Sequence, residues 1–548
     1  MLIHIPQFDG FQRSTDKRQL PVSAAVRAVD CDIREGVVTL RPIGELVQPT
    51  VSTEHSAPWL SGIPSRGREH PLFVSGQSHA SVAQLPTSDV TTKARTIQTQ
   101  NGVITRYIEG DSAAAELGVV APNFALEVNT NNPPASSRPE VERYFVVTLV
   151  NEFGQEGPPG PILGPVLMNP TEGTITLNVP AVLTQPTFVG KFRIYVNNGN
   201  QGDFFFAAEV GNYPIANQTV VMTSLALNNA SIVLETTDLD PPPADLTHVK
   251  TLPSGAVAGI SGSSLVYSHP TYQYGWPPQY GIPSQALPMG IALLDQAQII
   301  PTDVEPFLIQ GTLPGEMVPR SIDVPHGCKS ERSIVELSGA VGFSAEEGFI
   351  VVTLGGHENF TANFLTPKQW QEYNPESIAA VYFDMHLVLF FDTGSRKGSL
   401  WFPPGRNPVE RSVWAHGAWV DKLRRRLYIR QNTTIYSVDT AAALVANATS
   451  DRASSPATST FKALWESKTF VSPKPISLGV MQMHGIDIDC QVTITTDGKT
   501  RAPISLQGTQ LRKIKGGFKA YEWSFLIEGT GRWTSFSAAS TPKELEKI

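Results

Sequence analysis

The sequence predicts an all-β protein, and three observations lead to that prediction. Glycine and proline, which favour turns, contribute 44 residues each to the 548 of the chain. Short runs of β-branched and aromatic residues recur between clusters of Gly, Pro, Asn and Asp, the pattern of strands joined by turns. Helical signals are sparse. The 41% hydrophobic and 17% charged residues are typical of a folded protein.

Strands are predicted along the whole chain. In its first half they are Gly36–Leu40, Ile104–Ile108, Tyr144–Val150, Thr174–Val179, Phe192–Val196, Phe204–Val210 and Ser264–Tyr267. In its second half they are Ile350–Leu354, Ala379–Phe383, Leu387–Phe391, Leu427–Ile429, Gln491–Thr495 and Tyr521–Ile527. Helices are predicted at Thr366–Tyr373, which has Pro367 near a first-turn position, at the alanine-rich Thr440–Ala448 and at Thr541–Ile548.

Three shifts in composition predict domain boundaries. Residues 129–139 are polar and contain proline, residues 238–244 form the proline run DLDPPPA, and residues 449–460 are rich in serine and threonine. The predicted domains are an N-terminal β-segment contributing to the main propeller or platform (1–139), an inserted sandwich (140–243), the main domain (244–450) and a C-terminal β-domain (451–548).

The inserted segment has the pattern of a small β-sandwich. KFRIYVNNGNQGDFFFAAEV reads as a hairpin with an Asn-Gly-containing loop, and a turn is predicted at Asn151–Gly154. A seven-strand sandwich of fibronectin-III type is therefore predicted. For the main domain we favour a β-propeller, because a long domain of short strands must protect its edges and radial closure does so. An irregular double sandwich is the alternative.

Charge and cysteine content restrict the function. The net charge of −8 argues against a general affinity for phosphate backbones. Cys31, Cys328 and Cys490 are odd in number and far apart, so they predict neither a disulfide framework nor a zinc cluster. An odd number of cysteines leaves at least one thiol without a disulfide partner, and a reducing compartment suits such a thiol.

No targeting or membrane-spanning segment is predicted. The N-terminus lacks the pattern of a signal peptide, and no apolar run approaches the about 18 residues that span a membrane. We expect synthesis in a cytoplasm and no membrane insertion.

A search for catalytic motifs finds little. The histidines do not stand at metal-ligand spacing, and the adjacent Glu346 and Glu347 are expected in a solvated turn. Gly498-Lys499-Thr500 has the last letters of a phosphate-binding loop but lacks its first glycine, and Asp497-Gly498 is predicted as a hairpin turn. Nothing in these motifs commits the chain to catalysis, and they assign no catalytic, cofactor-binding or metal residue. A metal site built from residues distant in the sequence stays open.

Two basic stretches are candidate partner sites. The first contains Lys422, Arg424, Arg425 and Arg426, which either contact phosphate or an acidic partner or form a solvated turn between strands. The second, residues 512–519, precedes the aromatic strand that starts at Tyr521. Alternation predicts that Tyr521, Trp523 and Phe525 share one buried face rather than stack on bases.

One stretch resembles a known family. Residues 252–282 read LPSGAVAGISGSSLVYSHPTYQYGWPPQYGI, a glycine-rich turn, a strand and a stiff Pro/Tyr/Trp loop. The stretch resembles the signature of tail nozzle proteins, or tail tubular protein B-like proteins, of short-tailed bacteriophages. In that family a strand ending in Ser-Glu/His-Pro is followed by Trp-Pro-x-x-Tyr. His269 stands where the family commonly has an acidic residue.

Other segments resemble the family in the same order. They are PHGCKSERSI (325–334), VGFSAEEGFI (341–350), LTPKQW (365–370), NPESI (374–378) and WESKTF (465–470), preceded by the insertion RYFVVTLVNEFGQEG (143–157). Phe349 stands where leucine is common in the family. The resemblance covers most of residues 140–475.

The resemblance implies a structural virion protein without enzymatic activity or cofactor. Its expected form is a homo-oligomer, a hexameric ring or tube that lies below the portal-adaptor ring, extends the DNA-ejection channel and carries tail fibres or a distal needle or knob. Viral DNA would pass through it without specific binding. The expected location is the virion tail, after synthesis in the host bacterial cytoplasm.

The aromatic loop supplies candidate contacts between subunits. In a closed ring an exposed loop can contact the neighbouring subunit. The candidate subunit-contact residues are Tyr272, Tyr274, Trp276, Pro277 and Tyr280. Covering their own core is the alternative.

Two other functions stay open at this stage. A host-surface or polysaccharide-binding protein, including a depolymerase, would present aromatic side chains to sugars, and an enzyme of that kind needs paired carboxylates in a cleft. A nucleic-acid-binding protein would use the two basic stretches and retain DNA in a salt-dependent way.

Overall fold

A computed structural model describes residues 2–33, 45–47, 59–63, 72–85, 95–108, 115–132, 140–180, 189–199, 202–211, 217–432, 434–439, 462–515 and 518–546. Within these ranges the chain is almost entirely β-structure, so the predicted all-β class is confirmed. The predicted strand Gly36–Leu40, the predicted helix Thr440–Ala448 and the connector at 449–460 lie outside the described residues. No helix in these ranges is long and apolar enough to span a membrane.

The strands up to residue 223 are short apart from one. They are β1 (Leu2–Ile5), β2 (Ala25–Val29), β3 (Glu45–Val47), β4 (Trp59–Ile63), β5 (Leu72–Gly76), β6 (Ala80–Leu85), β7 (Arg95–Gln100), β8 (Val103–Ile108), β9 (Ala115–Glu116), β10 (Glu127–Asn132), β11 (Val141–Asn151), β12 (Leu163–Met168), β13 (Thr174–Val179), β14 (Val189–Asn197), β15 (Phe205–Gly211) and β16 (Gln218–Thr223).

The strands of the next segment have five residues or fewer, up to residue 359. They are β17 (Thr247–Thr251), β18 (Val257–Ser261), β19 (Ser264–Tyr267), β20 (Ile282–Pro283), β21 (Ala292–Leu294), β22 (Ala297–Ile300), β23 (Phe307–Gln310), β24 (Val318–Ser321), β25 (Val335–Leu337), β26 (Ala340–Ser344), β27 (Phe349–Thr353) and β28 (Gly356–Asn359).

The last segment ends in two long strands. The strands are β29 (Ala379–Phe383), β30 (His386–Asp392), β31 (Lys397–Phe402), β32 (Val409–Arg411), β33 (Gly417–Asp421), β34 (Arg426–Gln431), β35 (Thr434–Asp439), β36 (Ala463–Ser467), β37 (Phe470–Ile476), β38 (Val480–Thr496), β39 (Lys499–Thr500), β40 (Ile504–Gln507), β41 (Arg512–Lys513) and β42 (Ala520–Ala539). The described α-helices are α1 (Ser224–Asn228), α2 (Pro367–Gln371) and α3 (Pro542–Leu545).

The chain folds into two compact units. The first comprises Met1–Ala80, Ala286–Ile309 and Arg320–Ile548, and the second comprises Ser81–Gln285 and Gln310–Pro319. Each unit has hydrophobic cores of its own.

A large sheet runs through the first unit. Its strand order is β29-β30-β31-β32-β2-β36-β42-β38-β39, with β1 and β37 paired to β42 and with β40 and β41 paired to β38. Segments that sequence analysis places in separate domains therefore share one sheet. The core against this sheet contains Trp370, Trp465, Trp523 and Trp533, all almost fully buried.

Smaller antiparallel sheets of the first unit follow one another along the chain. They are β21-β22-β23-β24, β25-β26-β27-β28 and β3-β35-β34-β33. The first strands lie side by side in chain order: β21 packs on β25, β25 on β29, and β29 on β33. The N-terminal β3 completes the sheet of β33–β35. Side-by-side sheets of this kind are expected of propeller blades, and the propeller itself stays a prediction.

The second unit contains the inserted sandwich, which confirms the predicted β-sandwich. One sheet has the order β10-β13-β16 and the other β12-β11-β14-β15. Alternate residues such as Phe145, Val147, Ile175 and Ile194 form its core. The predicted hairpin is present as β14 and β15, and the predicted turn at Asn151–Gly154 is closed by a Gly154 amide donating to the Asn151 carbonyl at 3.0 Å.

Two further sheets complete the second unit. Their orders are β17-β18-β19-β20 and β6-β7-β8-β9, and they share a small core. That core contains Ile97, Leu117, Leu246, Val257 and Trp276.

The aromatic strand near the C-terminus differs from its prediction at one position. Trp523 and Phe525 are buried as expected, but Tyr521 is 51% exposed. Tyr521 lies next to the first residue of β42 and its amide donates to the Asp497 carboxylate at the hairpin turn, where the core ends. The same turn confirms Asp497-Gly498 as a hairpin connection, since Thr496 pairs with Lys499.

Candidate functional site

Three segments of the first unit meet around three buried serines, Ser330, Ser333 and Ser344. The Ser333 hydroxyl donates to the Ser330 carbonyl at 2.6 Å and accepts the Ser344 amide at 2.8 Å. The Ser330 hydroxyl donates to the Ile378 carbonyl at 2.7 Å, and the Ser344 hydroxyl donates to the Pro375 carbonyl at 2.9 Å. These contacts join residues 328–334, 344–346 and 370–378, which we term the motif junction.

Helix α2 is fixed to the motif junction by Trp370, its buried side chain. Thr366 caps the helix together with Gln369 in a reciprocal capping box. The capped helix presents Trp370 to the core, and the Trp370 indole donates to the Ala345 carbonyl at 2.9 Å. The LTPKQW segment therefore serves to anchor one part of the junction.

Arg332 binds two backbone carbonyls at the edge of the junction. Its guanidinium donates to the His416 carbonyl at 3.0 Å and to the Ser377 carbonyl at 3.2 Å. Burial lowers the pKa of Arg332 from its ordinary value. A planar guanidinium suits this task because it offers several donors in fixed directions. The side chain thereby connects three separate segments of the chain.

The thiol of the motif junction, Cys328, is buried. Burial raises the pKa of Cys328 to about 12, and its Sγ donates to the Ser330 carbonyl at 3.3 Å. The thiolate is the nucleophilic form of cysteine, and this site disfavours it. The junction serines also have their hydroxyls committed to backbone groups, so the junction has the chemistry of a structural element.

The aromatic loop, residues 269–280, lies in the second unit after β19. Trp276 and Pro277 are buried, and Trp276 packs with Leu246 and Val257. The Trp276 amide donates to the Asp240 carbonyl at 2.7 Å. The Trp276 side chain covers the core of its own unit, as the alternative interpretation of the loop expects. A part for the loop in a subunit contact stays a prediction.

The three tyrosines of the aromatic loop are partly exposed. The Tyr272 hydroxyl donates to the Glu235 carboxylate at 2.6 Å, and this hydrogen bond raises the pKa of Tyr272 to about 12. The Tyr274 hydroxyl accepts the Glu156 amide at 3.4 Å. Tyr280 lies beside Gly315, where an added Cβ would be 3.3 Å from its ring. Tyr272 and Tyr274 thus connect the loop to the sandwich and to the segment that follows it.

Glu156 is the buried carboxylate at this connection. It lies 2.6 Å from the Arg193 guanidinium and accepts hydrogen bonds from the Tyr195 hydroxyl at 2.7 Å and from the Thr148 hydroxyl. Arg193 also binds Glu209 at 2.8 Å. Burial raises the pKa of Tyr195. These side chains point away from the sandwich core because strand residues alternate between faces.

The first basic stretch forms the tip of the β33–β34 hairpin. Asp421 is buried and accepts the Leu423 and Arg424 amides at 2.9 and 3.1 Å, and Arg424 binds its carboxylate at 2.7 Å. Arg424 therefore neutralises an acid of its own turn. Lys422 is exposed, with its ammonium 3.6 Å from Glu336, and Arg425 is exposed at a φ of 53°. Arg426 begins β34 and is partly exposed.

A polar cluster surrounds Trp414 in the first unit. The Trp414 and His416 rings are 4.8 Å apart, and the Lys397 ammonium is 5.0 Å from the Trp414 ring. Lys397 also binds Asp392 at 2.8 Å. Burial, followed by the charge of Lys397, lowers the pKa of His416. Sequence reasoning did not identify this cluster, because its members come from the end of β30, the start of β31 and the loop before β33, which share no motif.

The adjacent acids Glu346 and Glu347 are exposed in a turn, as predicted. Glu346 is 3.5 Å from the Lys329 ammonium. In the second basic stretch Lys513, Lys515 and Lys519 are exposed.

Comparisons with known proteins identify no family. No protein-family model and no curated protein matches the chain. Several solved structures are similar to it over most of its length at low identity. One is PorZ, a bacterial surface component of the type-IX secretion system of Porphyromonas gingivalis, with 10% identity, a TM-score of 0.25, and 80% of this chain and 77% of PorZ covered.

Two other similar structures have equally low scores. The extracellular domain of a proposed one-component system from B. thetaiotaomicron shares 10% identity at a TM-score of 0.25, covering 81% of this chain and 78% of that chain. An exo-β-1,3-galactanase from Phanerochaete chrysosporium shares 8% identity at a TM-score of 0.18, covering 87% and 98%. Likeness at this level supports no argument about function.

Proposed function

We propose that the chain is a structural subunit of the nozzle of a short phage tail. In this function copies of the chain form a ring or tube that extends the DNA-ejection channel and anchors fibres or a distal tip. The partners are further copies, in a hexamer, and the portal-adaptor ring. The protein acts by assembly in the virion and catalyses no reaction.

The observation that carries the proposal is the motif junction. Four segments that resemble the nozzle family, at 325–334, 341–350, 365–370 and 374–378, are held together by the contacts of Ser330, Ser333, Ser344 and Trp370. Residues that jointly hold one part of a fold constrain one another, and this favours a shared architecture with that family.

A structural role also agrees with the state of the buried acids. Glu156 and Asp421 are each bound to an arginine and to further donors within the fold. A glycosidase needs two carboxyl groups that face a substrate across a cleft. Neither of these two acids is free to do so.

The test is the mass of the full chain in solution by light scattering, with negative-stain images of the same sample. We expect a ring or short tube with a central channel. A chain that stays monomeric at its highest soluble concentration, and that also fails to bind a portal-adaptor ring, would contradict the proposal.

The Trp414 cluster favours saccharide binding as a second candidate function. A partly exposed indole beside Lys397, Asp392 and His416 offers a stacking surface and hydrogen-bond groups, the composition of a small-ligand site. Quenching of tryptophan fluorescence by host-surface polysaccharide, lost in Trp414→Ala, is expected for this function. Equal quenching in both chains would argue against the cluster, and release of reducing ends would indicate a depolymerase.

A further inference from the structure

The paired long strands β38 and β42 carry a bulge in their middle. Between Ile486 and Asp489, three steps along β38 correspond to two steps along β42. Asp487 takes a φ of 52°, and Gly531 on the opposite strand takes a φ of 105°. Bulges redirect side chains and are frequent at functional sites. Here the bulge leaves Ile486 60% exposed in the centre of the longest strands of the first unit.

Acidic side chains surround the exposed Ile486. Asp487 and Asp489 are exposed, and Glu528 is exposed on β42, two residue pairs along from the pair of Asp489 and Thr530. The basic groups nearby are Arg532, opposite Ile486, and Lys462, 4.0 Å from Glu528. The surface therefore combines an aliphatic side chain with an excess of negative charge. The bulge patch is defined as Ile486, Asp487, Asp489 and Glu528.

The tip of the β33–β34 hairpin has the complementary composition. Leu423 is 54% exposed between Lys422, whose side chain is 85% exposed, and Arg425. Asp421 is buried under the turn and is matched by Arg424, so it does not offset the exposed positive charges. The tip patch is defined as Lys422, Leu423 and Arg425.

We propose that the tip patch of one copy of the chain binds the bulge patch of the next copy. Each patch has one apolar centre, Leu423 or Ile486. Around Ile486 three acids outnumber Arg532 and Lys462, and around Leu423 the bases Lys422 and Arg425 outnumber Glu336, so the net flanking charges are opposite in sign. This is the arrangement of an apolar contact with a polar rim. Contact between two tip patches, or between two bulge patches, would place like charges together, and that repulsion selects the mixed pair.

The geometry of such a contact determines the type of assembly. A contact between two different surfaces of the same chain is heterologous, and heterologous contacts generate closed rings when the rotation between copies closes. The inference thus rests on the proposed function, for which it supplies a subunit interface. Because the flanking charges are exposed, the contact should weaken as salt screens them.

Charge reversal tests the interface in the full chain. The tip variant is Lys422→Glu with Arg425→Glu, and the bulge variant is Asp487→Lys with Asp489→Lys. Each variant alone should raise the concentration for half-assembly at least about tenfold in light scattering. Mixed in equal amounts, they should assemble again, because each basic patch then meets an acidic one.

A matched control reverses two exposed lysines elsewhere, Lys474→Glu with Lys499→Glu, and changes the net charge as much as the tip variant does. It should assemble like the natural chain, and thermal unfolding should show all variants folded. Assembly of both patch variants at the natural concentration, or failure of the mixture, would overturn the interface and leave the proposed function standing. A natural chain that does not assemble, alone or on an adaptor ring, would overturn both.

Discussion

The Glu156 carboxylate lies 2.6 Å from the Arg193 guanidinium, and only 9% of the Glu156 side chain is exposed. Glu156 also holds the Tyr195 hydroxyl, and its amide donates to Tyr274 of the aromatic loop. One residue thus connects the outer face of the sandwich with the loop that follows β19. The aromatic loop is therefore held partly by the backbone amide of a residue more than a hundred positions earlier in the chain.

Replacing Glu156 with glutamine should destabilise the second unit. The change removes the charge that Arg193 and Tyr195 contact, so a partly buried guanidinium loses one of its two carboxylates. Hydrogen bonds to charged groups contribute about 1.5–3 kcal/mol each, which sets the expected loss in the free energy of unfolding. Urea unfolding followed by fluorescence measures it.

Lys191→Gln is the matched control for this prediction. Lys191 binds Glu209 at 2.7 Å, but both side chains are more than a third exposed, and such pairs contribute about 0–1 kcal/mol. Equal losses for the two variants would mean that the Glu156 contacts have no special weight.

The motif junction should depend on the Ser333 hydroxyl. In Ser333→Ala the buried Ser344 amide loses its acceptor, and an unsatisfied buried donor costs about 1–3 kcal/mol. Ser338→Ala changes an exposed turn residue between β25 and β26 and should stay within about 0.5 kcal/mol of the natural chain. Chemical denaturation of both variants tests the difference, and a similar small effect for each would argue against the junction as a stabilising element.

The three thiols should make the folded chain sensitive to alkaline pH. Burial raises the pKa of Cys31, Cys328 and Cys490 from 9.0 to about 12. Between those values the folded state retains protons that the unfolded state releases, so the free energy of unfolding falls as the pH rises from about 9 toward 12. Below that range the thiols contribute no pH dependence.

A thiol reagent at mildly alkaline pH gives the direct measurement. The folded chain should react slowly at all three positions, and the chain in denaturant should react fully, since only the thiolate reacts. Cys328→Ala should flatten the fall of the urea midpoint between about pH 9 and 11. A fast-reacting cysteine in the folded chain would contradict the assigned burial.

Alternation and turn residues were enough to predict many of the strands. The predicted bounds of Thr174–Val179 and Ala379–Phe383 match β13 and β29. The first run alternates apolar and polar residues and the second is a continuous apolar run, and turn residues bound both of them. The helix predicted at Thr366–Tyr373 from Pro367 near its first turn is present as α2, and its capping box of Thr366 and Gln369 is a finding of the structure. Such features depend on neighbours in the sequence.

Features that depend on distant residues escaped prediction. Tyr521 follows the same alternation as Trp523, yet it is exposed because the core ends at the hairpin turn. The sequence suited Trp276 equally to a subunit contact and to the core of its own unit. The structure shows that it packs on Leu246 in that core. The bulge at Asp487 has no local signal beyond its glycines, since it arises from a mismatch between two strands.

The bulge of the β38–β42 strand pair should require glycine at residue 531. A Cβ there would collide with the Asp487 carbonyl, and the φ of 105° is one that other residues rarely adopt. Gly531→Ala should therefore lower the free energy of unfolding by about 1–3 kcal/mol beyond the loss in Gly498→Ala, where φ is 76° and no atom lies within 4 Å. Urea unfolding of the two variants gives the difference. Because the collision is with backbone, the strands can relieve it only by shifting the bulge, which would move Ile486. A stable Gly531→Ala chain that also assembles normally would show that neither the bulge nor its position is needed.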